Sequence, residues 1–148
     1  MMADPPPPPR RRRRSTYEAE RDLAREKIVR ALATVCAQKG YEATTVADIA
    51  AAAGTSRRVL YDRFPNKDAV AIALLEIAHM ELFADVEEAC LDRDGLTAID
   101  QGLAAVLSWV AHDSVIARAC LVERYALEQA DKLRTDALDR FAELQIGR

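Results

Sequence analysis

Three arginines fall within seven residues, at Arg57, Arg58 and Arg63, in the stretch SRRVLYDRF. A guanidinium is always charged and presents a planar fork of donors. It pairs in a bidentate way with the edge of guanine in a major groove, or holds a phosphate. A short helix that keeps Leu60 and Phe64 inward, four residues apart, leaves Arg57, Arg58, Val59, Tyr61, Asp62 and Arg63 on or near its outer face. That face suits a polyanion.

The elements needed to hold such a face are written on both sides of it. Thr45 is placed to cap a helix, and Asp48, three residues on, can reach back to form a capping box with Asp in place of Glu. From Val46 to Ala53 the chain is rich in alanine, and Val46, Ile49, Ala50 and Ala53 share one face. Gly54 stands where the chain must leave that helix, and Thr55 and Ser56 offer the next cap. The spacing predicts a second helix over Arg57–Arg63, joined to the first by a tight turn, which is a helix-turn-helix. A preceding helix, from Tyr17 or Arg21 to Lys39, carries Leu23, Ile28, Leu32, Val35 and Cys36 as a buried stripe and ends at Gly40. Pro65 stops the second helix, and Asn66 caps a long one from Lys67 to about Leu91. Lys67 and the first free N–H groups of that helix make a phosphate site.

Beyond Leu91 the sequence DRDG reads as a loop, followed by a helix to about Ala111 with Ile99, Leu103, Val106, Leu107 and Val110 as core. Ser114 is placed to cap the last helical segment, and Val115 to Gln145 reads as one long helix or two. No Val/Ile/Thr alternation occurs anywhere, so the fold class is all-α. The 148 residues divide into a Pro/Arg-rich tail (1–16) expected to be disordered, a helix-turn-helix domain (17–68) and a helical C-terminal domain (69–148). The arginines at 10–14 in the tail could lie along phosphates or enter a neighbouring minor groove, or simply be solvated.

Charge is distributed unevenly. Up to Asp68 there are 14 Lys and Arg against 9 Asp and Glu, and from Ala69 onward 7 against 15. The basic half is drawn to nucleic acid and the acidic half repelled from it. No apolar run is long enough to cross a membrane, and no membrane partner is expected. The cysteines Cys36, Cys90 and Cys120 read as small buried hydrophobes in a reducing cytoplasm. His79 with Glu76 lacks a second ligand pair, so no metal is expected. With neither a glycine-rich phosphate loop nor a nucleophile elbow, no catalytic residue or cofactor is assigned.

Gly40-Tyr41, Thr44-Thr45, Ile49-Ala50, Ala53-Gly54, Ser56, Leu60-Tyr61, Phe64 and Lys67-Asp68 together resemble the DNA-binding domain of the TetR family of bacterial transcription regulators. The resemblance covers roughly Arg25 to Glu76. It departs at Arg58, where the family usually has Gly, and at Arg63, where it often has His. It implies a ligand-responsive repressor of double-stranded DNA. Arg57, Arg58, Val59, Tyr61 and Arg63 would then face bases or backbone, and Tyr41, Thr44, Thr45, Ser56 and Lys67 would hold phosphates. It also implies a small-molecule effector in the C-terminal helices, with Met80, Phe83, Leu107, Trp109, Val110 and Tyr125 as candidate lining and Trp109 and Tyr125 foremost. Two last helices should pair across a homodimer, and the chain stops about where they would begin. The alternative is a shortened helical partner that heterodimerises with a full-length relative and tunes its DNA binding.

Overall fold

The computed structural model describes residues 10–91, 93, 95–123 and 127–146. Among these, seven helices and no strands occur: α1 (Arg10–Lys39), α2 (Val46–Ala52), α3 (Arg57–Tyr61), α4 (Lys67–Cys90), α5 (Gly95–His112), α6 (Ser114–Leu121) and α7 (Glu128–Ile146). The all-α reading holds.

The helix-turn-helix is built as its residues dictate. Thr45 Oγ1 accepts from the Asp48 N–H at 3.2 Å, and Asp48 Oδ2 accepts from the Thr45 N–H at 2.8 Å, which completes the capping box. At the far end of α2, Gly54 takes φ +65°, and the N–H groups of Gly54 and Thr55 bond to the carbonyls of Ala51 and Ala50. These paired bonds around a left-handed glycine absorb the last carbonyls of α2 and turn the chain into α3. Ser56 then caps α3 by accepting from the Val59 N–H at 3.2 Å. Ile49, Ala50, Leu60 and Phe64 are buried together with Ile28, Leu32 and Cys36 of α1. The head is thus a three-helix unit with one shared core.

Asp48 also receives Lys39 Nζ at 2.6 Å. That bond, with those from Thr45, holds its carboxyl below the ordinary carboxylate range. A depressed folded-state value means the stabilisation is present above the unfolded value, near 3.8, and is lost as pH falls through and below it. Urea midpoints of the protein and of Asp48→Asn are therefore expected to differ at neutral pH and to converge in acid. Thr45→Ala should lower stability by about 1 kcal/mol at neutral pH.

α4 is the spine, packing against α1, α5, α6 and α7. Val70, Ala71, Leu74, Leu75, Ala78, Phe83, Val86 and Cys90 are among its buried positions. Its 24 residues span about 36 Å. Arg30 of α1 meets Asp113 at 2.5 Å, tying the first helix to the α5–α6 corner.

Several expectations change. α1 begins at Arg10 rather than at Tyr17 or Arg21, so the backbone of the arginine run is helical. Arginine is among the better helix formers, and the run adjoins a helix that is already nucleated. The proline run lies outside the described residues. α3 ends at Tyr61 rather than Arg63, although the Phe64 N–H still bonds to the Leu60 carbonyl at 2.9 Å. The cap of α6 is Asp113, which accepts from the Ile116 N–H, and Ser114 is the first helical residue instead. The segment after Val115 forms two helices. On α5, Ile99, Leu103 and Leu107 are exposed, and the buried positions are Ala98, Gly102 and Trp109. Small residues let α5 lie close to α4, which turns the larger aliphatic side chains outward.

Candidate nucleic-acid interface

The outer face of the helix-turn-helix separates the expected site residues into two groups. Arg57, Arg58 and Tyr61 are exposed on α3, with Val59 half-buried between them. The N-terminal turn of α3 carries Arg57 and Arg58, directly after the exposed cap Ser56. Thr45 is exposed at the start of α2. Leu60, on the opposite face, is fully buried and fixes the rotation of the helix. An arginine-bearing helix held by one core leucine can enter a groove without rearranging the head.

Tyr41, Thr44 and Lys67 are differently placed. Tyr41 is buried, and its hydroxyl donates to Asp68. Burial and the Asp68 carboxylate push the phenol well above its ordinary range. Thr44 is buried and donates from Oγ1 to the Gly40 carbonyl at 2.7 Å. Lys67 donates from Nζ to the Tyr41 carbonyl at 2.9 Å and sits 4.1 Å from the centre of the Tyr41 ring. These three clamp the loop after α1 onto the start of α4. Their side chains brace the head, while Ser56, Thr45 and the α3 arginines face outward.

Arg63 belongs to neither group cleanly. It is half-buried and donates from Nη1 to the Val59 carbonyl at 3.0 Å, closing the end of α3. Its Nε is shielded and meets no acceptor among the described residues. Beside it, the Arg25 guanidinium of α1 lies 5.5 Å from the centre of the Phe64 ring. Sequence reasoning gave no role to Arg25 or Glu123 and none to Asp68 beyond the resemblance, because each acts across a long sequence separation that no local spacing encodes. Glu123 accepts from the Tyr41 N–H at 3.1 Å and links the C-terminal helices to the head.

A second feature lies in the C-terminal half. A cavity of about 400 Å³ opens between α4, α5, α6 and α7, lined by Phe83, Trp109, Val106, Cys120 and Leu138, with His79 and Arg134 at its polar edge. Burial and the nearby Arg134 lower the His79 pKa, favouring the neutral ring. Burial pushes the Cys120 thiol up to about 12, so it stays protonated. Cys36 and Cys90 are buried as well. Of the expected lining residues, Trp109 and Phe83 are present. Met80 and Leu107 are instead largely exposed and Val110 packs against the core. Tyr125 lies outside the described residues. No single described helix is long and apolar enough to cross a membrane.

The fold is a bundle of helices whose first three form a helix-turn-helix head with an exposed, arginine-bearing α3. Residues 28–74 match the family model of bacterial regulatory proteins of the tetR family. The match covers the C-terminal part of α1, all of α2 and α3, and the first turns of α4. Solved structures share the fold. One is the fatty acid degradation regulator FadR from Bacillus halodurans, with a TM-score of 0.72 and 21% identity over 82% of this chain and 64% of that one. Another is SmeT, the repressor of the Stenotrophomonas maltophilia multidrug efflux pump SmeDEF, with a TM-score of 0.63 and 26% identity over 81% of this chain and 60% of that one. A SmeT–triclosan complex gives a TM-score of 0.64 and 22% identity over 82% of this chain and 64% of that one. No curated protein matches in sequence. The chain thus spans between 60% and 64% of the length of these structures.

Proposed function

We propose that the protein is a ligand-responsive transcriptional repressor that reads double-stranded DNA with α3. One observation carries this: Arg57 and Arg58 are exposed on the first turn of a capped helix whose opposite face is locked by the buried Leu60. Arg57, Arg58 and Tyr61 face base edges, with Val59 placed for apolar contact to a thymine methyl. Ser56 and Thr45 lie along phosphates. Tyr41, Thr44 and Lys67 act by fixing the α1–α2 loop, and Arg63 by closing the end of α3. Selection of random duplex DNA on the purified protein, read by sequencing, tests the reading. An enriched inverted repeat supports sequence reading by a homodimer, with half-sites about 34 Å apart. Binding without any enriched sequence contradicts it.

The effector in this proposal is a largely apolar small molecule held in the cavity beside Trp109. A chain of contacts runs from that cavity to the head. Arg134, at the cavity edge, donates to the Glu123 carbonyl at 2.7 Å, and the Glu123 carboxylate accepts from the Tyr41 N–H. Tyr41 in turn meets Lys67 and Asp68 at the start of α4. Displacement of α7 by a ligand is thereby passed to the base of α4 and to the tilt of the head. Trp109 is the sole tryptophan, so its fluorescence reports occupancy directly. Glu123→Ala is expected to leave ligand-induced quenching of Trp109 intact while reducing the ligand's effect on duplex affinity severalfold. An unchanged effect on duplex affinity would remove Glu123 from the route.

A further inference from the structure

α1 leaves the body of the protein partway along its length. From Ile28 onward its inward positions are buried, as Ile28, Val29, Leu32 and Cys36 show. From Tyr17 to Lys27, by contrast, every residue is exposed except the half-buried Ala24. The backbone nonetheless stays helical back to Arg10. The projecting part, Arg10 to Lys27, is about 27 Å long. No core burial holds the part from Tyr17 to Lys27.

Its course is set by the head. Glu18, Arg21, Asp22 and Arg25 line one groove with Asp62 and Arg63, just past the end of α3. The Arg25–Phe64 contact holds the two together there. Arg14 stands 11 positions before Arg25, and Arg10 stands 15 before it, so the arginine run lies about 16–22 Å further along the axis from that contact. The backbone of the run therefore continues α1 past the end of that groove.

The charge of this segment is not balanced internally. Between Arg10 and Lys27 there are eight Arg and Lys against four Asp and Glu, and no acidic residue stands in the first turn. Five adjacent like charges repel one another. Five consecutive positions also pass once around a helix of 3.6 residues per turn, so any face turned to a duplex carries arginine. A membrane surface fits poorly, because Tyr17, Ala19, Leu23 and Ala24 are the only apolar residues in the segment and cannot form an insertable face.

We infer that Arg10–Arg14 is a phosphate grip, laid on DNA flanking the bases read by α3 and adding affinity without sequence preference. The inference rests on the proposed DNA reading, and its test separates the two. Duplex affinity of the full chain is measured against salt concentration, on random-sequence and selected duplex, for the protein and for a variant with all five arginines changed to Gln. Each phosphate contact contributes about 0.9 to the slope of log affinity against log salt. The Gln variant should lose roughly 3–4 from that slope and at least about tenfold in affinity near 0.1 M salt, with its preferred sequence and melting temperature unchanged. A variant with five Lys should keep the slope. Arg57→Ala with Arg58→Ala should lose sequence preference yet retain the arm-dependent part of the slope. If the protein shows no sequence preference and the Gln variant still loses slope, the grip stands and the α3 reading fails. A Gln variant with the original slope overturns the inference. So does arm-dependent binding to phosphatidylglycerol–phosphatidylcholine vesicles that exceeds duplex binding at equal charge.

Discussion

Replacing Arg57 and Arg58 together by alanine is expected to weaken specific duplex binding by about 2–6 kcal/mol, roughly thirtyfold to twenty-thousandfold. Both side chains are exposed on the first turn of α3, so the melting temperature should stay within about a degree or two. The salt dependence tells which contact each arginine makes. A base-reading arginine takes with it discrimination at one position of the site, whereas a phosphate-holding one removes about 0.9 from the salt slope and leaves discrimination intact. Arg63→Ala should behave otherwise. Arg63 already donates to the Val59 carbonyl, so its loss should cost about 1 kcal/mol of stability and little discrimination. Fluorescence anisotropy at near-physiological salt measures both variants. An unchanged affinity in the double variant would remove α3 as the reading element.

Leu60→Ala is expected to cost about 2–5 kcal/mol of stability, the range for emptying a fully buried leucine position. Leu60 shares one core with Ile28, Leu32, Ile49 and Phe64, so α1, α2 and α3 lose a common partner at once. A domain with a total of about 5–15 kcal/mol has little to spare. The head should therefore melt earlier and bind duplex more weakly in proportion to its unfolded fraction. Tyr61→Ala, one residue on, provides the contrast. Tyr61 is 53% exposed, so its removal should change stability by less than about 0.5 kcal/mol while lowering affinity. Thermal unfolding by circular dichroism separates the two positions. Equal losses from both would mean that α3 is rotated relative to the present arrangement.

The contrast between Leu60 and Tyr61 also shows what was legible in the sequence. Short-range features were readable because each is closed within a few residues. The Thr45–Asp48 capping box, the left-handed Gly54, the Ser56 and Asn66 caps and the four-residue spacing of Leu60 and Phe64 are of that kind. Tyr41 and Thr44 were expected to hold phosphates, and the internal partners of their hydroxyls were not legible. Their hydroxyls point inward to Asp68 and Gly40, and the partner of Tyr41 lies 27 residues away. On α5 the helical period was right and its phase was wrong. The buried face follows Ala98, Gly102 and Trp109, since close approach to α4 favours small residues over the leucines. The start of α1 was placed late because a block of like charge reads as a solvated tail. High arginine helix propensity and an adjoining nucleated helix outweigh that repulsion in the structure.

If Arg57 and Arg58 read base edges in the major groove, methylation interference on the selected duplex will show it, because a methyl group on guanine N7 occupies the acceptor that a bidentate arginine needs. Methylation of one or two guanines in each half-site is expected to abolish binding by the unaltered protein. Arg57→Ala or Arg58→Ala should then erase the interference at one of those guanines and leave the other. Interference confined to minor-groove adenine N3, or a guanine pattern that neither substitution alters, would contradict the claim.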